Sequence, residues 1–99
     1  TDFTEAIKIN PKNADAYSNR AISNSKVGDY QQAIDDYTEA IKLEPTDAKY
    51  YYERGLIRSS TEDYEGAVYD FQKAADIYQK QGKSEDYQEV MKTIRKLNK

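Results

Sequence analysis

The side chains that could perform chemistry in this chain are carboxylates, because the sequence contains neither cysteine nor histidine. Thiolate nucleophiles, Cys/His zinc sites and imidazole acid–base catalysis are therefore excluded. Two adjacent pairs stand out, Asp35-Asp36 and Glu62-Asp63. Neighbours in sequence diverge on a helix, so we expect both pairs on exposed faces or at a cap, where burial cannot tune a carboxyl pKa. The sequence predicts no enzyme activity, no cofactor and no metal site.

The composition favours a layered helical structure over a globule with one central core. Of 99 residues, 37% are hydrophobic and 33% are charged, which suits helices that each bury one stripe. The formal net charge is −3, whereas phosphate binding needs a concentrated basic face, so we expect no nucleic-acid partner. Apolar runs of two or three residues are too short to span a bilayer, so we expect no membrane partner and a cytoplasmic location.

Internal repetition is the strongest signal in the sequence. Residues 4–8 (TEAIK) return unchanged as residues 38–42, which is 34 positions later, and Pro11 returns as Pro45. The same shift pairs a further set with identical residues: Ala14, Tyr17, Arg20, Ser25, Asp29, Tyr30, Ala33, Asp36 and Ala40. A fixed period of this length indicates an array of supersecondary units.

Turn-forming residues divide each period into two helices. A first helix is predicted over residues 14–27, closed by Gly28, which tolerates a left-handed C-terminal position. Asp29 follows as the N-cap of a second helix, over about residues 30–43. Pro45 prevents that helix from continuing. Each period is therefore a helix–turn–helix unit.

This 34-residue unit resembles the tetratricopeptide repeat. The resemblance is carried by aromatic, small and turn residues at matching positions of the two periods: Tyr17, Gly28, Asp29, Tyr30, Ala33, Tyr37, Ala40 and Pro45, then Tyr51, Asp63, Tyr64, Ala67, Phe71 and Ala74. It implies an all-α fold, a solenoid of stacked helix–turn–helix repeats. Two departures are notable, since Arg20 and Arg54 stand where the family often has leucine and Glu62 replaces the turn glycine.

The repeat register predicts a single domain with four parts. Residues 1–13 match the second helix of a truncated repeat, and residues 14–47 and 48–81 are full repeats. Residues 83–99 form a capping helix whose apolar stripe closes the last repeat, with Ser84 as its N-cap.

The first segment contains apolar residues whose partner helix is absent from the sequence. Phe3, Ala6 and Ile7 stand in core register on it. We expect this segment to fray, to exchange between chains, or to mediate self-association that gives a homodimer.

A partner-binding surface is expected on the first helix of each repeat, because these helices line the concave side of a solenoid. The residues on that face are Asp15, Ser18, Asn19, Ile22 and Lys26 of the first repeat and Lys49, Tyr52, Glu53, Leu56 and Ser59 of the second. A solvated helix face would show many of the same side chains. Packing against the neighbouring helix could equally explain the apolar pair, Ile22 and Leu56.

Tyrosines divide between core and surface in this register. Tyr50, Tyr51 and Tyr52 point about 100° apart on a helix. We expect Tyr51 to be buried, Tyr50 to lie at the seam between repeats and Tyr52 to face the groove. Tyr30 and Tyr64 are expected in the core between helices.

One subtype of the family can be compared residue by residue. Tetratricopeptide domains that hold the acidic C-termini of cytosolic heat-shock chaperones clamp the terminal carboxylate with Asn, Lys and Arg. Asn19 and Lys49 match this pattern, but Glu53 stands where the arginine belongs. A glutamate there would repel a carboxylate, so the sequence argues against a working clamp.

Two functions of different classes remain open. The first is a protein–protein interaction scaffold that binds a partner peptide or protein in its concave groove. The second is a structural self-association unit whose helices stack on copies of itself. Adding the first helix that residues 1–13 lack should leave a binding module monomeric, whereas an assembly unit should still associate.

Overall fold

The computed structural model describes residues 13–97, and in that range the chain is helical throughout its regular structure, with no strand. The helices are α1 (Ala14–Lys26), α2 (Tyr30–Leu43), α3 (Ala48–Ser60), α4 (Tyr64–Lys80) and α5 (Ser84–Leu97). The predicted all-α fold class is confirmed. The predictions made for Phe3, Ala6 and Ile7 lie outside the described residues.

Side-chain caps begin the first four helices. Asn13 accepts a hydrogen bond from the backbone N–H of Ala16 at 3.2 Å, and the same kind of bond begins the next three helices. The predicted cap Asp29 is confirmed, since its carboxylate accepts from the N–H of Gln32 at 3.3 Å. Ser84 was expected to cap α5 but is its first helical residue, because the carbonyl of Lys83 already accepts from the next turn.

Left-handed residues end α1, α3 and α4. Gly28 has a φ of 85°, Glu62 a φ of 67° and Gly82 a φ of 72°. At the first two of these turns, the N–H of the following aspartate donates to a carbonyl five residues back at 2.8 Å, the pattern of a Schellman motif. Glu62 therefore adopts the conformation of the glycine that it replaces in the repeat.

Consecutive helices pack against one another and bury two apolar clusters. The first joins α1, α2 and α3 through Ala14, Ala21, Ala33, Tyr37, Ala40, Ile41, Tyr50 and Ile57. The second joins α3, α4 and α5 through Ala48, Ala67, Phe71, Ala74, Ala75, Val90 and Ile94. Because α3 contributes to both clusters, the described part of the chain is a stack of layers with no single central core.

A buried carboxylate lies at the centre of the first repeat. Asp36 is 1% exposed and accepts from the Arg20 guanidinium through Nη2 at 2.7 Å and Nε at 3.0 Å. Asn24 and Gln32 donate to it as well. The expectation that Asp35-Asp36 would lie on an exposed face is wrong for Asp36, because this set of donors replaces the water that burial removes. Asp35 is exposed as expected.

The second repeat contains an equivalent buried carboxylate, which has two arginines as donors. Asp70 is 0% exposed and accepts from Arg54 Nη2 at 2.7 Å, from Arg54 Nε at 2.9 Å and from Arg58 Nη1 at 3.0 Å. The remaining Arg54 nitrogen, Nη1, donates to Thr38 Oγ1 at 3.0 Å. The guanidinium thus ties α3 both to α4 and back to α2. None of the described helices combines the length and apolar character needed to cross a membrane.

Candidate partner-binding groove

Two adjoining cavities lie between α1 and α3. One, of about 280 Å³, is lined by the N-terminal parts of these helices, and the other, of about 290 Å³, by their C-terminal parts. Ile22, Tyr37 and Glu53 line both cavities, so the two lie side by side along the same pair of helices. We call the two cavities together the α1/α3 groove. Tyr37, which is 2% exposed and belongs to α2, forms its floor.

Most of the predicted contact residues come together in the α1/α3 groove. Those lining it are Asp15, Ser18, Asn19, Ile22, Lys26, Lys49, Glu53 and Leu56. The two others, Tyr52 and Ser59, lie outside it. Ile22 and Leu56 are 39% and 38% exposed, so packing against a neighbouring helix does not bury them.

Tyr52 packs towards the next layer of the solenoid instead. Its ring lies 5.4 Å from the Phe71 ring, centroid to centroid. Its hydroxyl is 3.2 Å from Thr93 Oγ1 on α5. Ser18 holds the equivalent position, 34 residues earlier, in the first repeat. The small serine leaves the α1/α3 groove open, whereas Tyr52 fills the corresponding space between α3 and α5.

Other tyrosines differ in part from expectation. Tyr50 lies at the seam between repeats as predicted, because its hydroxyl donates from α3 to Asp15 Oδ1 on α1 at 3.1 Å. Tyr51 was expected to be buried and is half-buried. The expectation that Tyr30 and Tyr64 belong to the core is wrong: they are 37% and 52% exposed, because each is the first residue of its helix and lies beside a turn.

Negative charge collects at one end of the groove. The carboxylates of Asp15, Asp47 and Glu53 line the cavity at the N-terminal ends of α1 and α3, together with one ammonium group, that of Lys49. Asp15 accepts from the Tyr50 hydroxyl, and Asp47 caps α3. Glu53 is half-buried and makes no hydrogen bond or ion pair within residues 13–97. Its carboxylate is available to a ligand.

Two neutral phenols lie beside these carboxylates. Burial, with a smaller contribution from the Glu53 carboxylate, raises the pKa of Tyr37 above its usual value. Burial also raises the pKa of Tyr50, and its hydrogen bond to Asp15 adds to that effect. Both hydroxyls therefore remain protonated donors across the physiological pH range.

Tyr37 is the groove residue that the sequence reasoning missed, because its register assigned the ring to the core. The ring is indeed buried, but the hydroxyl has no hydrogen-bond partner among residues 13–97 and the side chain lines both cavities. The equivalent residue in the next repeat is Phe71. The available signal was that Tyr37 of the first repeat corresponds to Phe71 of the second, which indicates that packing does not need the hydroxyl.

The arrangement suits recognition by contact. Within residues 13–97, no three or more His, Cys, Asp or Glu side chains are grouped to hold a metal ion. The groove offers an open apolar pair, Ile22 and Leu56, a buried phenol and unpaired charge. These are groups that bind the side chains and backbone of another chain.

Comparison with known proteins gives the chain a family. Models of the tetratricopeptide repeat match residues 14–47 and 48–81. No curated protein sequence that was compared matches the chain. The solved TPR domain of Arabidopsis OM64 is 34% identical, with a TM-score of 0.79, over 95% of this chain and 75% of that one.

Two complexes are also similar in structure. The TPR2B domain of yeast Sti1, solved in a pHsp70 complex, is 25% identical with a TM-score of 0.89, over 97% of this chain and 77% of that one. PcrH, solved in complex with the chaperone-binding region of PopD, has a TM-score of 0.90 at 13% identity, over 97% and 73% of the two chains, a likeness of fold alone. With both of its full periods matched and its fold shared, this chain belongs to the tetratricopeptide-repeat family.

Proposed function

We propose that this chain is a protein-interaction scaffold that binds a segment of a partner protein in the α1/α3 groove. The observation that carries the proposal is the pair of adjoining cavities between the first helices of the two repeats, with Ile22 and Leu56 open at their sides and Tyr37 at their floor. The Sti1 and PcrH structures support it, because each is a complex of this fold with part of another protein.

An extended segment fits the lining of the groove better than a helix. Short polar side chains, those of Ser18, Asn19 and Ser25, line it together with the Tyr37 hydroxyl. An extended peptide carries an unpaired N–H and C=O at every residue, whereas a helix satisfies these groups internally. The Ser18 hydroxyl already donates to the Asp15 carbonyl at 3.2 Å, and the backbone of an extended segment would supply partners for the other hydroxyl and amide groups.

The predicted carboxylate clamp is not part of this proposal. Asn19 and Lys49 do line one cavity, but Glu53 lines the same cavity. A C-terminal carboxylate would meet that like charge at close range. We infer that the bound segment is internal to its partner.

The chain's composition also bears on where and with what it works. With no cysteine it has no disulfide to lose in a reducing compartment, so we place it in the cytoplasm. Its interspersed charges, net −3, favour a protein partner over a nucleic acid.

The experiment that tests the groove uses a substitution suggested by the chain itself. Ser18→Tyr places in the first repeat the side chain that Tyr52 contributes to the second, and should fill the α1/α3 groove. Ser23→Tyr is the matched control, because Ser23 is exposed on α1 and does not line the groove. A phage library of random dodecapeptides is selected on the unsubstituted chain, and the affinities of labelled peptides are measured by fluorescence anisotropy.

We expect selected peptides to bind the Ser18→Tyr variant at least about tenfold more weakly, which corresponds to about 1.4 kcal/mol, and to bind Ser23→Tyr unchanged. Circular dichroism must show that both variants are as helical as the parent chain. Equal binding to the parent and the Ser18→Tyr variant would contradict the assignment of the groove. Failure of the library to give any peptide that binds would contradict the proposed function itself.

A further inference from the structure

The α1/α3 groove has two chemically different ends. At its acidic end, defined by Asp15, Asp47 and Glu53, three carboxylates face the single ammonium group of Lys49. At its apolar end, defined by Ile22, Tyr30 and Leu56, three side chains are each 37–39% exposed. Such a division selects the order of side chains in a bound segment as well as their types.

The carboxylates of Asp15 and Asp47 at the acidic end have uncharged hydrogen-bond donors, but no carboxylate there has a paired cation within residues 13–97. Neither Lys49 nor any other cation forms an ion pair with Asp15, Asp47 or Glu53 in the described part of the chain. Glu53 is half-buried, so its charge is less screened than that of a fully exposed residue. A cationic side chain entering here would gain charge-assisted hydrogen bonds that water now supplies.

Two charged residues, Lys26 and Glu53, also line the apolar end. The Lys26 ammonium lies on a long, exposed side chain that can extend into solvent, and Glu53 stands between the two ends because it lines both cavities. Ile22 and Leu56 are the equivalent residues of two repeats, 34 positions apart. Together with Tyr30 they offer a place to bury one apolar side chain.

The floor joins the two ends. Tyr37 lines both cavities, and its hydroxyl has no partner within residues 13–97 although the residue is 2% exposed. A segment lying along the groove would pass a backbone carbonyl over this hydroxyl, which can donate to it. This polar group belongs to a residue that is 2% exposed and that lines the groove, and it is a second and independent sign that the groove receives a chain.

Helix geometry gives the spacing between the ends. Asp15 and Ile22 are seven residues apart on α1, or about 10 Å along the helix axis. An extended chain advances about 3.3 Å per residue. Glu53 and Leu56 are only three residues apart on α3, or about 4.5 Å. A cation that meets both carboxylates therefore lies about one to three residues from the apolar side chain along a bound segment.

We infer that the α1/α3 groove selects an internal peptide segment in which a lysine or arginine lies within about three residues of a large apolar side chain. The cationic side chain meets Glu53 and Asp15, and the apolar side chain lies between Ile22 and Leu56. This inference rests on the proposed function and names the partner's chemistry.

The test reads the sequences of the dodecapeptides that the random library yields and then exchanges their charges. We expect enrichment of a basic residue within about three positions of Leu, Ile, Met or Phe. Replacing that basic residue by Glu in a labelled peptide should weaken binding about tenfold. Raising the salt concentration should weaken the basic peptide's binding and leave that of a neutral version almost unchanged.

Variants of the chain localise the effect. Glu53→Arg should weaken binding of the basic peptide about tenfold and strengthen binding of the Glu-substituted peptide. Glu65→Arg makes the same change of net charge at an exposed site on α4 away from the groove and is the matched control. Tyr37→Phe, which installs the residue found in the next repeat, should weaken binding about threefold without loss of helicity.

The outcomes separate this inference from the proposed function. Peptides that lose binding to Ser18→Tyr but carry acidic or only neutral residues would overturn the inference and leave the groove as the binding site. Basic peptides whose affinity falls equally in Glu53→Arg and Glu65→Arg would also overturn it, because the attraction would then come from net charge. A library that yields no groove-dependent peptide would overturn both.

Discussion

Asp70 lies wholly buried between the guanidinium groups of Arg54 and Arg58. Removing a buried ion from water costs several kcal/mol, which the attraction and hydrogen bonds of its partners roughly offset. Such a pair adds little net stability while it is complete. Losing one partner is costly, because a charge is then left buried and uncompensated.

We therefore expect Asp70→Ala to lower the free energy of unfolding by about 3–5 kcal/mol, measured by urea denaturation. Asp36→Ala is the matched comparison and should cost less. There the partner side chain, that of Arg20, is 27% exposed and the other donors are neutral amides. The double variant Arg54→Leu with Asp70→Leu should recover most of the loss, because the buried pair is removed together and Arg58, which is 24% exposed, keeps Asp63 as its partner. A double variant as unstable as Asp70→Ala would contradict this account.

The buried phenols predict how stability depends on alkaline pH. Burial raises the pKa values of Tyr37 and Tyr50 above the ordinary value of 10.0. Above that pH the unfolded chain loses these protons while the folded chain keeps them, so the stability they contribute is complete below 10.0 and is lost as pH rises.

We expect the urea midpoint to fall as pH increases from about 9 to 11, and to fall less in the variant Tyr37→Phe with Tyr50→Phe. Tyr69→Phe is the control, because Tyr69 is 54% exposed. An equal pH dependence in the double variant and the parent chain would show that these two phenols do not titrate differently in the folded and unfolded states.

Among the elements, the turn between α3 and α4 holds the clearest conflict between sequence and geometry. Glu62 has a φ of 67°, a left-handed conformation that costs a non-glycine residue roughly 1–2 kcal/mol. Gly28 takes the equivalent position, with a φ of 85°, at no such cost.

Glu62→Gly should therefore stabilise the chain by about 0.5–1 kcal/mol, after allowing for the greater freedom of glycine in the unfolded state. Gly28→Glu should destabilise it by a similar amount. Thermal unfolding followed by circular dichroism measures both. Destabilisation by Glu62→Gly would mean that the glutamate side chain makes a stabilising contact that the structure does not show.

The elements themselves follow from local chemistry, which is why the sequence predicts them well. Asp29 and Gly28 mark helix ends by hydrogen bonding and backbone freedom that depend only on near neighbours. The pairing of Arg20 with Asp36 depends on how two helices pack, so composition and periodicity did not reveal it. The only hint was that both residues have identical counterparts 34 positions later, Arg54 and Asp70.

The candidate site could be predicted only as far as helical register assigns residues to a face. Residues such as Ile22 and Leu56 were assigned to the concave face by helical register, and they line the groove. Tyr52 was assigned to the same face but does not line the groove, because whether its side chain stays free depends on α5, which supplies Thr93. Contacts between helices that are not adjacent in sequence decide which part of the concave surface stays open to a ligand.

At the scale of the whole molecule, the described residues form a slab of 40 × 29 × 17 Å. Its two apolar clusters share α3, and the α1/α3 groove runs between the first helices of the two repeats. Self-association, in which the helices stack on copies of the chain, is the alternative function.

Sedimentation equilibrium tests that alternative. We expect the chain to associate through Phe3, Ala6 and Ile7, and the variant Phe3→Ser with Ile7→Ser to be monomeric at the same concentration. Equal association in both forms would place the contact elsewhere and favour an assembly unit over a binding module.

The central claim is that the α1/α3 groove is the binding site, and the most direct measurement is chemical-shift mapping by ¹H–¹⁵N NMR with a library-selected dodecapeptide. The account predicts that the largest amide shifts on binding fall on α1 and α3, at Ile22, Glu53 and Leu56, and vanish in the Ser18→Tyr variant. Shifts concentrated on α2 and α4, or unchanged by Ser18→Tyr, would contradict it.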